Sequence, residues 1–259
     1  MANYDILGNI AVVKFSKEAT KTEKLEKARE LLKNKSIKTV LEKTNKVSGR
    51  LRTIKTKYIL GEKTKTAEYK ENGCFFKLNI ETCYFSPRLA NERLEVAKMI
   101  KKGENVLVMF AGVAPFSIVI AKTSKAKKII SIELGKECCM YAEENIVKNK
   151  VENTIQVLQG DVKRITPKLE KQKETFDFIV MPRPNLKDTF LKQALGVSRK
   201  GTRIVYYGFC SEDKKDEMVD GLLKEAKKYK RTIKLIRVLE AGDIAPYEHR
   251  YRVEMIVLN

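Results

Sequence analysis

The residues best placed to do chemistry are one glycine turn and two acids, each closing an apolar run. The run Asn105–Phe110 ends in Phe110-Ala111-Gly112-Val113-Ala114-Pro115-Phe116. There Gly112 lets the backbone come close to a ligand, and Pro115 can open a helix. The next run, Lys128–Glu133, ends in a carboxylate able to bind both hydroxyls of a ribose. The third, Ile155–Gly160, leads into Asp161-Val162, where Asp161 can accept from an exocyclic amine such as that of adenine. No G-x-G-x-x-G is present, so a dinucleotide pyrophosphate has poor support. A cofactor with ribose and adenine but no phosphate fits better, which points to S-adenosylmethionine. Singly, the glycine turn reads equally as packing and each acid as a strand-end charge. Their matching positions favour the cofactor.

Those residues need a sheet to line them up, and the pattern from Asn105 onward supplies one. Strands are expected at Asn105–Phe110, Lys128–Glu133, Ile155–Gly160, Phe176–Met181, Thr202–Phe209, Ile233–Glu240 and Arg252–Leu258. Helices are expected at Phe116–Thr123, Lys136–Asn149, Leu186–Val197 and Lys214–Tyr229. Repeated strand–helix alternation argues a doubly wound, mostly parallel α/β sheet. In such sheets ligands sit beyond the carboxyl ends of the strands. The last two strands have no helix between them and are expected to form an antiparallel edge pair.

The first 85 residues read differently. They carry 19 Lys/Arg against 10 Asp/Glu, and Lys33–Lys57 alone holds nine basic residues and one acid, Glu42. Short strands are expected at Ile10–Phe15, Thr39–Leu41, Thr53–Leu60 and Phe75–Ile80, with a helix over Lys21–Leu32. We read residues 1–85 as a small basic α+β domain and 86–259 as the α/β domain. Arg50, Arg52, Lys55 and Lys57 alternate along an extended stretch, so several charges share one side, suited to a phosphate backbone.

Whole-chain composition agrees. The 259 residues contain 53 Lys+Arg and 33 Asp+Glu, a formal net charge of +20, which favours a polyanionic partner. Five cysteines without a C-x-x-C pair argue against a disulfide scaffold, and a single histidine, His249, disfavours a Cys/His zinc site or a Ser-His-Asp triad. No metal is expected. The uncharged run Val106–Ala121 is too short and too broken by Gly112, Pro115 and Ser117 to span a bilayer. The chain reads as a reduced, cytoplasmic monomer without a membrane segment.

Several motifs together carry a resemblance. Cys83-Tyr84-Phe85-Ser86-Pro87-Arg88-Leu89-Ala90-Asn91-Glu92-Arg93 precedes Met109-Phe110-Ala111-Gly112-Val113-Ala114-Pro115-Phe116-Ser117-Ile118. Tyr4–Ile10, Ser48-Gly49-Arg50-Leu51-Arg52 and Ala245-Pro246-Tyr247 add to it. The whole resembles the tRNA (guanine-37-N1)-methyltransferases of archaea and eukaryotes. The resemblance implies a Rossmann-like class I methyltransferase domain behind the basic domain, acting with S-adenosylmethionine on the anticodon loop of tRNA. It implies Glu92 as the base that removes the guanine N1 proton and Arg52 as the cation that supports the developing negative charge. It places Tyr84, Arg88, Phe110, Ala111, Gly112, Val113, Glu133, Asp161 and Val162 around the cofactor. The small additional N-terminal domain common in the family is expected to be missing.

One departure bears on the substrate. Many members end the fourth strand in Asn-Leu-Pro, whose Asn holds the target guanine; here Met181-Pro182-Arg183-Pro184 stands there. Pro182 has no side-chain amide and no N–H to donate. Pro182, Arg183 and Pro184 are expected to line a less polar substrate pocket. This resembles an archaeal branch that also methylates carbon 7 of 4-demethylwyosine in wyosine synthesis. Two alternatives stand beside methyl transfer: an aminocarboxypropyl transferase of wybutosine synthesis, and a non-catalytic RNA-binding protein. Arg88, Glu92 and the Tyr206-Tyr207 strand end favour the methyltransferases.

Overall fold

In the computed structural model, residues 3–45 and 49–259 are described; Ser48 of the Ser48–Arg52 motif lies outside them. The chain runs β1 (Asn3–Leu7), β2 (Ile10–Lys14), α1 (Lys21–Leu32), β3 (Thr39–Lys43), β4 (Thr56–Gly61), β5 (Thr66–Glu71), β6 (Cys74–Asn79) and α2 (Ala90–Lys98). It continues through β7 (Asn105–Met109), α3 (Pro115–Thr123), β8 (Lys128–Glu133), α4 (Lys136–Lys148), β9 (Ile155–Gln159), α5 (Val162–Lys171) and β10 (Phe176–Met181). It closes with α6 (Leu191–Gly196), β11 (Ser198–Cys210), α7 (Lys215–Lys228), β12 (Ile233–Ala245) and β13 (Glu248–Val257).

The front part is built on a four-stranded sheet, β1-β2-β3-β4, whose parallel pair β2–β3 is joined by α1. Thr20 starts α1 with a capping box: the Glu23 amide donates to its hydroxyl, and the Glu23 carboxylate accepts from the Thr20 amide at 2.6 Å. Ala28 and Leu31 on the inner face of α1 are buried with Ala11, Val13 and Val40 of the sheet.

The second part is a seven-stranded sheet in the order β12-β13-β11-β10-β7-β8-β9, with β11, β10, β7, β8 and β9 mutually parallel. Apolar side chains cover both faces of the parallel strands, as βαβ crossovers require. The expected antiparallel edge pair is present: β13 runs antiparallel to β11, and β12 to β13.

Other expectations shift. The helix expected over Leu186–Val197 is only Leu191–Gly196, because the Asp188 carboxylate accepts from the Phe190 amide at 2.8 Å and holds the preceding segment in a turn. Helices α2 and α5 and strands β1 and β5 were not expected.

The hairpin β5–β6 joins the two sheets. Ala67 and Leu78 pack with Ile10 and Leu41 of the front sheet and with Val113 and Cys138, whereas Cys74 and Phe76 enter the core of the large sheet. Strand β6 finds its remaining partners in two side chains of α4. The Asn145 amide accepts from Lys77 N at 2.7 Å and donates to Lys77 O at 3.0 Å; Asn149 does the same with Phe75 at 2.9 and 2.7 Å. Both asparagines are buried, so truncation leaves backbone groups without partners. Asn145→Ala is therefore expected to lower stability by about 2–3 kcal/mol in a urea titration. A loss below about 0.5 kcal/mol would show that the hairpin does not depend on this pairing.

Candidate active site

At the carboxyl ends of the parallel strands the structure opens a cavity of about 1150 Å³, its mouth included. The floor is the turn after β7. Three of its residues have positive φ: Phe110 at 59°, Gly112 at 57° and Ala114 at 63°. Only glycine takes that conformation freely, so Phe110 and Ala114 hold strain at the site. A Cβ on Gly112 would meet only the Tyr84 carbonyl, at 3.6 Å. The turn's demand for glycine is thus conformational.

Glu133, at the end of β8 and 9% exposed, fixes that turn. One carboxylate oxygen accepts from Gly112 N at 2.8 Å and the other from Gly135 N at 2.7 Å. A carboxylate has about four acceptor positions, so two remain for a pair of hydroxyls. Asp161 caps α5 through Lys163 N at 2.9 Å, and its other oxygen pairs with Arg50 at 2.8 Å across the cavity mouth. Burial alone would raise the Asp161 carboxyl, but the hydrogen bonds from Arg50 and the Lys163 amide outweigh it and hold the carboxyl below its ordinary value. Arg50 is 111 positions away in sequence; it was expected along a phosphate backbone, not at the cofactor acid.

Another part of the wall is aromatic and cationic. The Arg52 guanidinium lies 3.9 Å over the Tyr84 ring, and its Nε is buried without a partner. Arg183 is buried: it donates to the Tyr206 hydroxyl at 2.9 Å and to the Pro184 and Leu186 carbonyls at 2.8 and 3.0 Å. It therefore shapes the Pro182–Leu186 loop. Phe209 sits between the guanidiniums of Arg183 and Arg250, each 5.7 Å from its ring.

Most of the expected residues converge here. Arg52, Tyr84, Phe110, Ala111, Gly112, Glu133, Asp161, Val162, Pro182, Arg183 and Pro184 all line the cavity. Three do not. Val113 is fully buried in the apolar cluster with Ile10 and Leu78, because the turn aims it at the front sheet. Arg88 points outward, its side chain 77% exposed, and pairs with Asp5 at 2.7 Å. Both were expected at the cofactor, and their side chains lie elsewhere. Glu92 stands one side chain behind the wall: its Oε1 accepts from the Tyr207 hydroxyl at 2.7 Å and from Arg252 at 2.8 Å. It is Tyr207 that lines the cavity.

The sequence reading missed Arg50, Tyr207, Phe209 and Arg250 as lining residues. For Tyr207 and Phe209 a signal existed. They are two apart on one strand and so share a face.

With this geometry, similarity to known proteins becomes informative. Residues 67–236 match the TRM5/TYW2 methyltransferase domain, and residues 1–64 match the TYW2 N-terminal domain. The chain belongs to the TRM5/TYW2 methyltransferase family. It is 38% identical over 211 residues to the tRNA (guanine(37)-N(1))-methyltransferase Trm5b of Pyrococcus abyssi, covering 81% of this chain and 61% of that relative. It is 30% identical over 306 aligned positions to the tRNA (guanine(37)-N(1))/4-demethylwyosine(37)-methyltransferase Taw22 of Nanoarchaeum equitans, covering 99% and 100%. The solved complex of aTrm5 with tRNALeu superposes with a TM-score of 0.85 at 26% identity, over 99% of this chain and 72% of that one. This member of the TRM5/TYW2 family thus spans less than two thirds of the Pyrococcus abyssi relative. Among the described residues, no helix is long and apolar enough to cross a membrane.

Proposed function

We propose that this chain transfers a methyl group from S-adenosylmethionine to N1 of guanosine 37, beside the anticodon of tRNA. The observation that carries the reading is one cavity lined by two unlike sets of residues. One is the Glu133 carboxylate, set between the backbone amides of Gly112 and Gly135; the other is Arg52 with Tyr207, whose hydroxyl is bonded to Glu92 behind the wall.

The residues present suit an adenosine-type donor. Glu133 has acceptor positions left for two ribose hydroxyls, Asp161 can take the exocyclic amine in exchange for Arg50, and Phe110 and Val162 offer apolar contact. When bound, S-adenosylmethionine supplies an electrophilic methyl carbon on a sulfonium. The chain's own task is to make a poor nucleophile ready. Guanine N1 carries a weakly acidic proton, and its removal leaves negative charge that spreads to oxygen 6. Glu92 is the carboxylate to receive that proton, and the unpartnered Arg52 Nε is the donor for the charged oxygen. The base next to the anticodon must turn outward to reach the cavity, at about a few kcal/mol. The basic residues of the 1–85 region, Arg50, Lys55 and Lys57 among them, would hold the phosphates on either side. We read the protein as a cytoplasmic monomer.

A single-turnover assay on unmodified tRNA tests the reading. Glu92→Gln is expected to reduce methyl transfer about 100-fold with cofactor affinity unchanged. A full-rate variant would remove Glu92 from the mechanism. Release of S-adenosylhomocysteine marks methyl transfer. Methylthioadenosine would mark aminocarboxypropyl transfer, a second reading that the TYW2 match over residues 1–64 favours. The likeness to a relative named for both guanosine and 4-demethylwyosine, with Pro182 lining the cavity, favours a second substrate. Nucleoside mapping after incubation with tRNA carrying the tricyclic base tests that extension.

A further inference from the structure

Glu92 has the chemistry of a base but not the position of one, and the side chain between it and the cavity is specific. Tyr207 lies on β11, is 2% exposed, and lines the cavity with its hydroxyl proton committed to Glu92 Oε1 at 2.7 Å. Its oxygen keeps lone pairs free to accept a further proton. Of the hydroxyl-bearing residues that line the cavity among the described residues, Tyr84, Ser86 and Tyr207, only Tyr207 has its hydroxyl bonded to a carboxylate.

The surroundings favour transfer through this phenol. Burial, then the adjacent Glu92 carboxylate, push the Tyr207 hydroxyl well above its ordinary value, so it stays protonated and can donate as it accepts. The Phe116 ring, 5.8 Å away, packs against it. Behind Glu92, Arg252 is shared. Its Nη1 donates to Glu92, and its Nε lies 2.9 Å from Glu254, itself paired with Arg237 at 2.8 Å. When Glu92 becomes a neutral acid, Arg252 therefore keeps a counter-ion, and no isolated charge is left behind.

We propose that Tyr207 is a catalytic proton relay between the target base and Glu92. The proposal rests on the methyltransferase reading above and extends it. The N1–H bond of guanine breaks as that proton bonds to the Tyr207 oxygen. The proton already on Tyr207 moves to Glu92 Oε1, leaving a neutral phenol and a neutral carboxylic acid. In the same step the N1 electron pair forms the bond to the methyl carbon, and the carbon–sulfur pair stays with sulfur. Glu92 later returns its proton to solvent, which restores the starting state.

The test is single-turnover methylation of unmodified tRNA at saturating cofactor and tRNA. Tyr207→Phe is expected to slow the step about 30- to 100-fold while leaving both dissociation constants within about twofold. The double variant Tyr207→Phe with Glu92→Gln should be no slower than Glu92→Gln alone, because the two groups act as one unit. Rates in mixtures of light and heavy water should bow downward for the unaltered enzyme, as two protons in flight require. This measurement needs no variant and so survives poor folding of Tyr207→Phe. A straight inventory, a Tyr207→Phe rate near that of the unaltered enzyme, or additive effects of the two changes would each overturn the relay. An unaltered enzyme that transfers no methyl group overturns the methyltransferase reading and the relay with it.

Discussion

Glu71→Gln is expected to lower the free energy of unfolding by about 3–5 kcal/mol, although residue 71 does not line the cavity. Its carboxylate faces the Arg93 guanidinium in a two-point pair whose side chains are 3% and 2% exposed. Arg93 also donates to the Ser86 carbonyl at 3.0 Å and lies 4.8 Å over the Phe85 ring. Glutamine keeps one acceptor oxygen but turns an NH₂ toward the guanidinium and removes the anion, leaving a buried cation with carbonyl oxygens and the Phe85 and Phe116 rings for company. For a chain of this size the melting temperature should fall by about 10 °C. The control is apolar replacement of both partners, Glu71→Leu with Arg93→Met. That pair should recover most of the loss, because it also removes the cost of desolvating two charges. A single-variant loss under about 1 kcal/mol would mean that water or another anion reaches Arg93. The pair matters for function as well. Arg93 follows Glu92 on α2 and ties the Ser86–Leu89 turn to the hairpin, so methyl transfer should weaken in the single variant before the fold is lost.

Glu71–Arg93 also marks the limit of what the sequence made legible. The β7–β11 strands could be read because each carries an apolar stretch, and the first four close on the Gly112 turn, Glu133, Gly160-Asp161 or Pro182. The acids Glu133 and Asp161 could be read because strand ends are where an α/β sheet binds ligands. Helix α5 could not: Lys163-Arg164-Ile165-Thr166-Pro167-Lys168 is mostly polar and contains Pro167, ordinarily a breaker. The cap from Asp161 and the buried faces of Val162, Thr166 and Leu169 hold it nonetheless. Strands β1 and β5 are polar edge pieces with weak alternation, so only tertiary pairing defines them. The pairings of Arg50 with Asp161 and of Arg88 with Asp5 join residues 111 and 83 positions apart. A charged side chain in a surface segment gives no sign of which distant partner it will meet. Asn145 and Asn149 look like two ordinary polar positions on one helical face, and only the arrival of β6 reveals them as its pairing partners.

The other large effect is expected at Glu133. Glu133→Gln keeps size and shape, so its cost isolates what the carboxylate does. Both oxygens accept from backbone amides, Gly112 N on one side and Gly135 N on the other. A glutamine has one carbonyl oxygen and one NH₂ group, so in either orientation an NH₂ must face an N–H. If it faces Gly112, the turn loses the bond that holds its left-handed glycine beside the strained Phe110 and Ala114. If it faces Gly135, the start of α4 loses its anchor. The substitution also removes the anion whose remaining lone pairs suit the ribose hydroxyls, replacing charge-assisted hydrogen bonds by weaker neutral ones. Together these should weaken S-adenosylmethionine binding at least 100-fold by calorimetry, about 3 kcal/mol or more. Glu133→Asp should fail similarly, since its shorter side chain cannot span both amides. Affinity for tRNA should stay within about threefold in both variants, because the basic surface lies on other elements. Retention of cofactor affinity within about fivefold in Glu133→Gln would place the donor elsewhere in the cavity and would take Gly112 and Asp161 out of its binding site.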